Sequence, residues 1–357
     1  MTGYEGQRRY DVVVIGGGAA GLSGALTLAR ARRSVLVVDA GEPRNAPASH
    51  IHGYLGREGT PPAELLAVGR AEVTGYGGEI VHGTVTAVER AAEGGFHVEL
   101  ADGHAVGAAR LLITTGLVDE LPAVPGVAER WGREVLHCPY CHGWEVRDLP
   151  IGVLATGPMA VHQTLLWRQW SNDVTLFLHT APEITDEEYE QLAARGVTVV
   201  DGEVTGLDVT EDRLSGVRLA AGPVIPVQAL VVAPRFTARA GVVAGLGLKA
   251  TPQEWNGHVI GAHIATDPAG ATDVPGVWAA GNVASPTDQV IGAAAAAVRA
   301  AAAINANLTA EETGRAVAAR RAPFSAGAER EVCEKVLGDR RHGLDLPTAA
   351  RDVGSSR

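Results

Sequence analysis

The chain has 357 residues, of which 46% are hydrophobic, enough for two domains with separate cores. Its formal net charge of −11, with 12 histidines counted neutral, argues against a nucleic-acid partner or an anionic membrane surface. The opening MTGYEGQRRY is short and polar, glycine breaks the following DVVVIGGG too early for a signal peptide, and no apolar run reaches membrane-spanning length, so a soluble cytoplasmic protein is expected.

The first organised stretch is YDVVVIGGGAAGLSGALTLARARRSVLVVDAGE. Val12 to Gly16 predict a short apolar strand, Leu22, Ala25, Leu26 and Ala29 recur at helical spacing, and Val35 to Val38 predict a second strand ending in Asp39. This is a βαβ unit with Gly16, Gly18 and Gly21 in the G-x-G-x-x-G pattern at the strand-to-helix turn. The first glycine permits the tight turn, the second lets backbone approach a pyrophosphate, and the third lets helix pack against strand. The helix N-terminus offers N–H groups to the phosphates, and Asp39 is placed to accept from ribose hydroxyls.

Short strands and turns follow. EIVHGTVTAVERAAEGGFHVELADGHAVGAARLLITTG predicts a meander ending in an apolar strand at Leu111 to Thr114. Residues 149–245 repeat the opening pattern: LPIGVLATGPMAVHQTLLWRQWSNDVTLFLHT is strand, turn, helix, strand, a second domain built like the first. VPGVWAAGNVASPTDQVIGAAAAAVRAAAAIN predicts a further strand, a glycine turn and an alanine-rich helix, with Arg299 inside the run at 293–303. From about Thr309 the chain is charged and poor in large apolar residues, which predicts one short helix around Glu329 to Val336 and a disordered end.

Two of the three cysteines stand in HCPYCHGWE, residues 137–145. Zinc needs two more ligands, and Cys333 lies far away in a charged segment; His137 and His142 complete a set on paper, but adjacent ligands on so short a loop strain a tetrahedron. Two incidental thiols are the bland alternative. A redox dithiol is favoured over both, because a disulfide closes across two residues and a reducing cytosol favours a catalytic bond over a structural one.

The ordered landmarks GGGAAG at 16–21, ITTG at 113–116, CPYC at 138–141 and AAGN at 279–282 followed by Gln289 resemble the two-domain flavoproteins of the low-molecular-weight thioredoxin reductase type, over about residues 10–308. The resemblance implies an α/β fold of two Rossmann-like, three-layer ββα dinucleotide-binding domains and a homodimer. Residues 1–119 and 246–310 would form an FAD domain, 120–245 an inserted middle domain with the dithiol and an NADPH-type site, and 311–357 a polar extension. By position, Gly16, Gly18, Ala19, Ala20, Gly21 and Asp39 would hold the adenosine diphosphate half of FAD, with Gly116, Gly281, Asn282, Gln289 and Val290 completing the site. Asn282 replaces the aspartate that bonds the ribityl chain, and an amide still bonds a hydroxyl. Gln289 would present its backbone and the helix dipole to the electron-rich edge of the reduced flavin, and Asp288 replaces a neighbouring arginine. Cys141 would be the thiolate beside the flavin, Cys138 the sulfur that exchanges with substrate, and His142, where the family has aspartate, the acid–base group; His137 reads as structural. No metal is expected.

The second βαβ departs from the family pattern. Its turn is Ala155-Thr156-Gly157-Pro158-Met159-Ala160, so the first glycine is lost and a proline removes an N–H. Past its second strand come His179-Thr180-Ala181-Pro182-Glu183, then Asp186, Glu187 and Glu188, without the arginines that grip a 2′-phosphate. Loss of the NADPH site, the C-P-x-C-H-G motif and EPRNAPASHIHGYLGREG at 42–59 resemble the dithiol oxidases that close the disulfide of holomycin- and gliotoxin-type natural products. That subgroup implies oxidation of a small-molecule dithiol through Cys138 and Cys141 to FAD, with O2 as acceptor and hydrogen peroxide as product. Two readings compete: a reductase fed by NADPH or another carrier, which needs Arg195 or Arg168 to fold into the site, and a non-catalytic redox sensor, which needs a partner-binding segment.

Overall fold

A computed structural model describes residues 8–337 apart from 182, 221, 223, 256 and 322–325. Pro182 of the second-strand loop and the end expected to be disordered beyond residue 337 lie outside the described residues.

The apolar run at the N-terminus forms β1 (Arg9–Ile15), α1 (Ala19–Arg30) carries the helical stripe, and β2 (Val35–Asp39) follows. α2 (Pro62–Gly75) crosses over to β3 (Glu79–His82), and β4 (Val85–Arg90), β5 (Phe96–Leu100) and β6 (Ala105–Ile113) form antiparallel neighbours. The strand order is β3-β2-β1-β6-β5-β4. β3 is therefore not the first strand of the expected meander: it lies parallel to β2, with Val38 opposite Val81, because the α2 crossover returns the chain in the same direction. β1 sits between β2 and β6, pairing Val13 with Leu36 and with Leu111, and is buried on both faces, which explains a continuous apolar run in place of alternation.

β7 (Leu117–Glu120) leads out of this sheet into a second one. Its strands are β8 (Val135–Leu136), β9 (Ile151–Leu154), β10 (Val174–Phe177), β11 (Thr198–Val200) and, after the three-stranded antiparallel sheet of β12 (Val204–Thr210), β13 (Arg213–Leu219) and β14 (Val224–Ile225), β15 (Ala229–Val231). The order β11-β10-β9-β15-β8 is parallel throughout. The helices on this segment are α3 (Pro139–His142), α4 (Ala160–Trp167) and α5 (Asp186–Ala194). Trp167, Phe177 and Leu154 are fully buried around the sheet, the latter two contributing about 1.5–3 kcal/mol each. β16 (Arg235–Ala238) pairs antiparallel with β7 as the chain returns, joined by β18 (His258–His263) and its hairpin partner β17 (Thr251–Trp255). β19 (Val277–Ala279) then adds to β6, with Val277 opposite Leu111. The fold is thus α/β with two Rossmann-like sheets, the first completed by a strand from late in the chain.

The chain divides at Asn305 into two compact units. α6 (Val290–Arg321) continues through Thr309 and through the expected limit at 310, and α7 (Ala326–Leu337) contains the helix expected at 329–336. α6 also corrects the expectation of no membrane-length segment: on length and composition alone it is long and apolar enough to cross a membrane. Alanine produces this, being apolar yet small enough to pack closely; Ala293, Ala294, Ala297, Ala300, Ala301 and Ile304 are buried in the protein core.

Candidate functional site

β1 delivers the chain to the glycine turn. Gly17 donates its N–H to Asp39 Oδ1 at 3.0 Å, tying the turn to the end of β2. A Cβ on Gly21 would lie 1.9 Å from the Gly16 carbonyl oxygen, so α1 packs on the turn too closely for any side chain. At Gly18 a Cβ meets nothing within 4 Å. One glycine serves packing, and the other faces open space at the N-terminus of α1.

That space is part of a cavity of about 580 Å³. Gly16, Gly18, Ala19, Ala20 and Asp39 line one end, with Gly116 just beyond β6. Asn282, Gln289 and Val290 line it from the segment that enters α6, and Cys138, Cys141 and His142 from α3. Gly21 stands behind this lining, as does Gly281, whose Cβ would come within 2.8 Å of Ala20 Cβ. The structure therefore brings the glycine turn and the cysteine pair, more than a hundred residues apart in the chain, to one cavity.

Asn282 has a use that an aspartate could not fill. Its Nδ2 donates to the carbonyls of Ser285, Pro286 and Asp288 at 3.2, 3.3 and 2.9 Å, shaping the loop into α6, whereas a carboxylate only accepts. The amide donor expected at a ribityl hydroxyl is thus engaged within the chain. Gln289 accepts the N–H of Ala293 at its carbonyl, in the first turn of α6.

Cys138 and Cys141 form a disulfide across α3, with Cα atoms 5.3 Å apart. Pro139 sits at the helix start, where its missing N–H costs nothing, and the Cys138 carbonyl accepts from Cys141 and His142, both at 3.2 Å. Both cysteines are half-buried, so burial does not rank them. The two histidines differ. His137 Nδ1 donates to the Val232 carbonyl at 3.1 Å, and its ring stands edge-on to Phe236 at 5.3 Å, a structural position. His142 Nδ1 is buried with no hydrogen-bond partner among the described residues. Burial pushes both rings below the usual histidine range; at His142 Glu145 opposes the shift and His52 adds to it. Among the described residues, no cluster of three or more His, Cys, Asp or Glu side chains is arranged to hold a metal ion.

The segment 42–59 contributes groups that sequence reasoning did not single out. Arg44 is bidentate to Asp119 at 2.8 and 2.6 Å and lies 5.2 Å from the Phe236 ring centre, linking the segment to β7 and β16. His50 and His52 line the cavity. His52 Nδ1 is 2.6 Å from Glu58 Oε1, and its Nε2 is 3.4 Å from Glu145 Oε1. The signal available was the His-x-His spacing in a long aperiodic segment between two regular elements.

In the second βαβ unit the groups near the nucleotide turn are engaged elsewhere. Arg168 donates from Nε to the Arg195 carbonyl at 2.8 Å and from Nη1 to the Ser171 carbonyl at 2.9 Å, and it also holds Asn172. His179, at a φ of +46°, accepts the N–H of Val204 at 3.0 Å. Thr185 and Glu188 form a capping box, and the acids at 186–188 fill the first turn of α5.

The first site fits a dinucleotide: backbone N–H groups at a helix start, an acid at the end of the second strand, and open space where Gly18 has no Cβ. A family model described as pyridine nucleotide-disulphide oxidoreductase matches residues 10–301. The thioredoxin reductase sirT of Leptosphaeria maculans is 31% identical over 312 residues, 83% of this chain and 93% of that one. A relative from Arthroderma benhamiae, 32% identical over 222 residues, is matched over 55% of its own length. Among solved structures, HlmI is 48% identical with a TM-score of 0.81, the match covering 93% of this chain and 99% of that one. The chain belongs to the pyridine nucleotide-disulphide oxidoreductase family, as a thioredoxin reductase-like redox enzyme with FAD as cofactor.

Proposed function

We propose that the chain oxidises a small-molecule dithiol of the natural-product type to its disulfide, with the Cys138–Cys141 bond as the immediate oxidant and O2 as the final acceptor. The observation that carries this reading is the second βαβ unit: Arg168 is committed to carbonyls and an amide oxygen, and the next helix opens with Asp186, Glu187 and Glu188, so a nicotinamide phosphate does not have the Arg168 guanidinium as a cationic partner. Desolvating a phosphate without such a partner is costly.

The chain's residues divide the work. Gly16, Gly18, Ala19, Ala20, Gly21 and Asp39 would hold the adenosine diphosphate part of FAD, and Gly116, Gly281, Asn282, Gln289 and Val290 would surround the remainder. A substrate thiolate attacks Cys138 Sγ, the bond to Cys141 breaks, and Cys141 leaves as thiolate. The second substrate sulfur attacks the sulfur held by Cys138, and Cys138 leaves with its electron pair. His142 Nδ1, buried with no hydrogen-bond partner among the described residues, accepts the proton of the attacking thiol. Bound FAD supplies the two-electron acceptor for the reduced cysteine pair and the route to oxygen and hydrogen peroxide. Residues 1–119 and 246–310 are the FAD domain in this reading and 120–245 the inserted one, with 311–357 an extension and a second copy completing a cytoplasmic homodimer.

The name of the sirT relative, a thioredoxin reductase, favours a second reading, a thioredoxin-disulfide reductase fed by NADPH or another electron donor. Anaerobic titration of the flavin separates the two. The oxidase requires that NADPH leave the flavin oxidised on the turnover timescale, that a dithiol bleach it, and that air restore it with release of peroxide. Rapid bleaching by stoichiometric NADPH, followed by reduction of thioredoxin, refutes the oxidase and establishes the reductase.

A further inference from the structure

Arg44 touches both the segment that enters α6 and the strands that lead to the second sheet. Its guanidinium is bidentate to Asp119 at 2.8 and 2.6 Å and lies 5.2 Å from the ring centre of Phe236. Asp119 of β7 and Phe236 of β16 stand directly opposite each other in the antiparallel pair, so one side chain grips both members of a single rung. The Asp119 side chain is 8% exposed, which shields the ion pair from water. β7 and β16 carry the chain from the first sheet to the second and back. The Phe236 ring in turn meets the His137 ring edge-on at 5.3 Å, and His137 Nδ1 donates to the Val232 carbonyl at 3.1 Å on the approach to β16. The next residue after His137 is Cys138. On its other side Arg44 Nη1 donates to the Pro286 carbonyl at 3.4 Å, the same carbonyl that accepts from Asn282 Nδ2 at 3.3 Å. Contacts therefore run from Asn282, at the entry to α6, through Arg44, Phe236 and His137 to Cys138.

A thiolate and its electron acceptor react only where the reacting atoms approach to about 3–3.5 Å, and a displacement of about 1 Å costs about 100-fold. Cys138 and Cys141 stand at a helix of 4 residues, too short to fix its own place. We propose that Arg44 is a positioning residue for the electron step, holding the cysteine pair where electrons cross between it and FAD. It acts through Phe236 and His137. Arginine suits this position because its planar fork matches a carboxylate while its face lies on a ring, and a lysine ammonium does neither. In the step that Arg44 supports, the Cys138–Cys141 bond re-forms and two S–H bonds are lost. The electron pair passes to bound FAD, and the two protons pass to FAD or to water.

This inference rests on the proposed exchange between the cysteine pair and FAD, and the experiment keeps the two apart. Holoenzyme is mixed without oxygen with dithiothreitol, at concentrations where bleaching no longer rises. Opening of the Cys138–Cys141 bond is read by quenching, alkylation and mass spectrometry, and flavin bleaching by stopped-flow absorbance. In wild type the two signals should run together. In Arg44→Lys the opened pair should accumulate before the flavin responds, with opening within twofold of wild type and bleaching about 10- to 100-fold slower. Phe236→Leu, which leaves the Arg44–Asp119 pair in place, should show the same lag and serves if Arg44→Lys does not fold. Amide hydrogen exchange gives a readout without dithiol: the N–H groups of Cys141 and His142, which donate to the Cys138 carbonyl, should exchange several-fold faster in both variants. Bleaching within twofold of wild type, equal slowing of opening and bleaching, or loss of FAD from both variants overturns the positioning role. Slow bleaching with unchanged amide exchange overturns the route through His137. A wild-type flavin that stays oxidised while its disulfide opens overturns the dithiol reading alone, and amide exchange then decides the role of Arg44.

Discussion

Replacing Gly18 by valine should separate cofactor binding from folding. Gly18 caps α1 with φ −73° and ψ −173°, extended backbone that valine adopts without strain. A Cβ there meets nothing within 4 Å, so the folded chain accepts the side chain, and a poor N-cap residue costs about 1 kcal/mol or less. The same open space is where the N–H groups of α1 face the pyrophosphate. A hydrogen bond to a charged group is worth about 1.5–3 kcal/mol, and the helix dipole adds about 0.3–1 kcal/mol. Losing two such bonds at the low end, with part of the dipole term, removes about 3.5 kcal/mol, on the order of 300-fold in affinity at about 1.4 kcal/mol per factor of ten. The assay is fluorescence titration of the stripped protein with FAD, beside the melting temperature of the apoprotein. Gly21→Ala is the contrasting variant: with 1.9 Å between its Cβ and the Gly16 carbonyl oxygen, it should fail in the apoprotein melt. FAD binding by Gly18→Val within threefold of wild type would show that the open space is not the pyrophosphate site.

Supplied with the disulfide form of the substrate, Cys141→Ser should trap it on Cys138 as a mixed disulfide visible by mass spectrometry, the Cys138 thiolate opening the substrate's S–S bond, and Cys138→Ser should trap little; greater trapping by Cys138→Ser reverses the assignment of the two sulfurs. His142→Ala should slow thiol exchange by about a hundredfold with FAD content unchanged, and because burial holds His142 below 6.5, the acid limb of the wild-type rate should lie below that pH. His137 and His142 both have folded values below their unfolded 6.5, so their neutral burial supports stability above that pH and is lost as pH falls through the lower folded values; denaturant melts from pH 7.5 to 5 should show this, with a smaller fall in His142→Gln. Arg44→Ala leaves Asp119, 8% exposed at its side chain, without its bidentate partner and should cost about 3 kcal/mol by urea melt, the low end for a broken buried pair because Arg44 is itself 27% exposed.

The first βαβ unit was legible because turn, helix and acid each leave a local mark: three glycines, a 3.6-residue stripe and a charge ending an apolar run. α2 leaves little. Only Pro62, Leu66 and Val73 are buried along it, too sparse for a periodic stripe, and Gly69 and Gly75 lower its propensity further. Without α2 the neighbouring β3 reads as one more strand of a meander. α6 was legible as a helix but not in extent, since a charged surface from Thr309 onward looks the same on a helix as on an irregular tail. The placement of His52 beside Glu145, 93 residues later, depends on how the segment 42–59 lies, and no local pattern encodes that. Asn282 is instructive in another way: sequence shows that the acid is gone, and only the three carbonyls around Nδ2 show what the amide gains.

The two βαβ units differ in charge more than in shape. Gly157, like Gly18, has nothing within 4 Å of where a Cβ would be, so the second turn still has room beside it. What differs is what it offers an anion. Pro158 withholds an N–H, Arg168 is spent on the Arg195 and Ser171 carbonyls, and the next helix opens with three carboxylates. A phosphate entering beside these groups would exchange water for a proline, a committed guanidinium and carboxylates. The hydrophobic packing of the unit is nonetheless complete, with Trp167, Leu176 and Phe177 fully buried. β8 of the same sheet runs directly into Cys138 and α3, so the second sheet is the platform that holds the disulfide at the cavity.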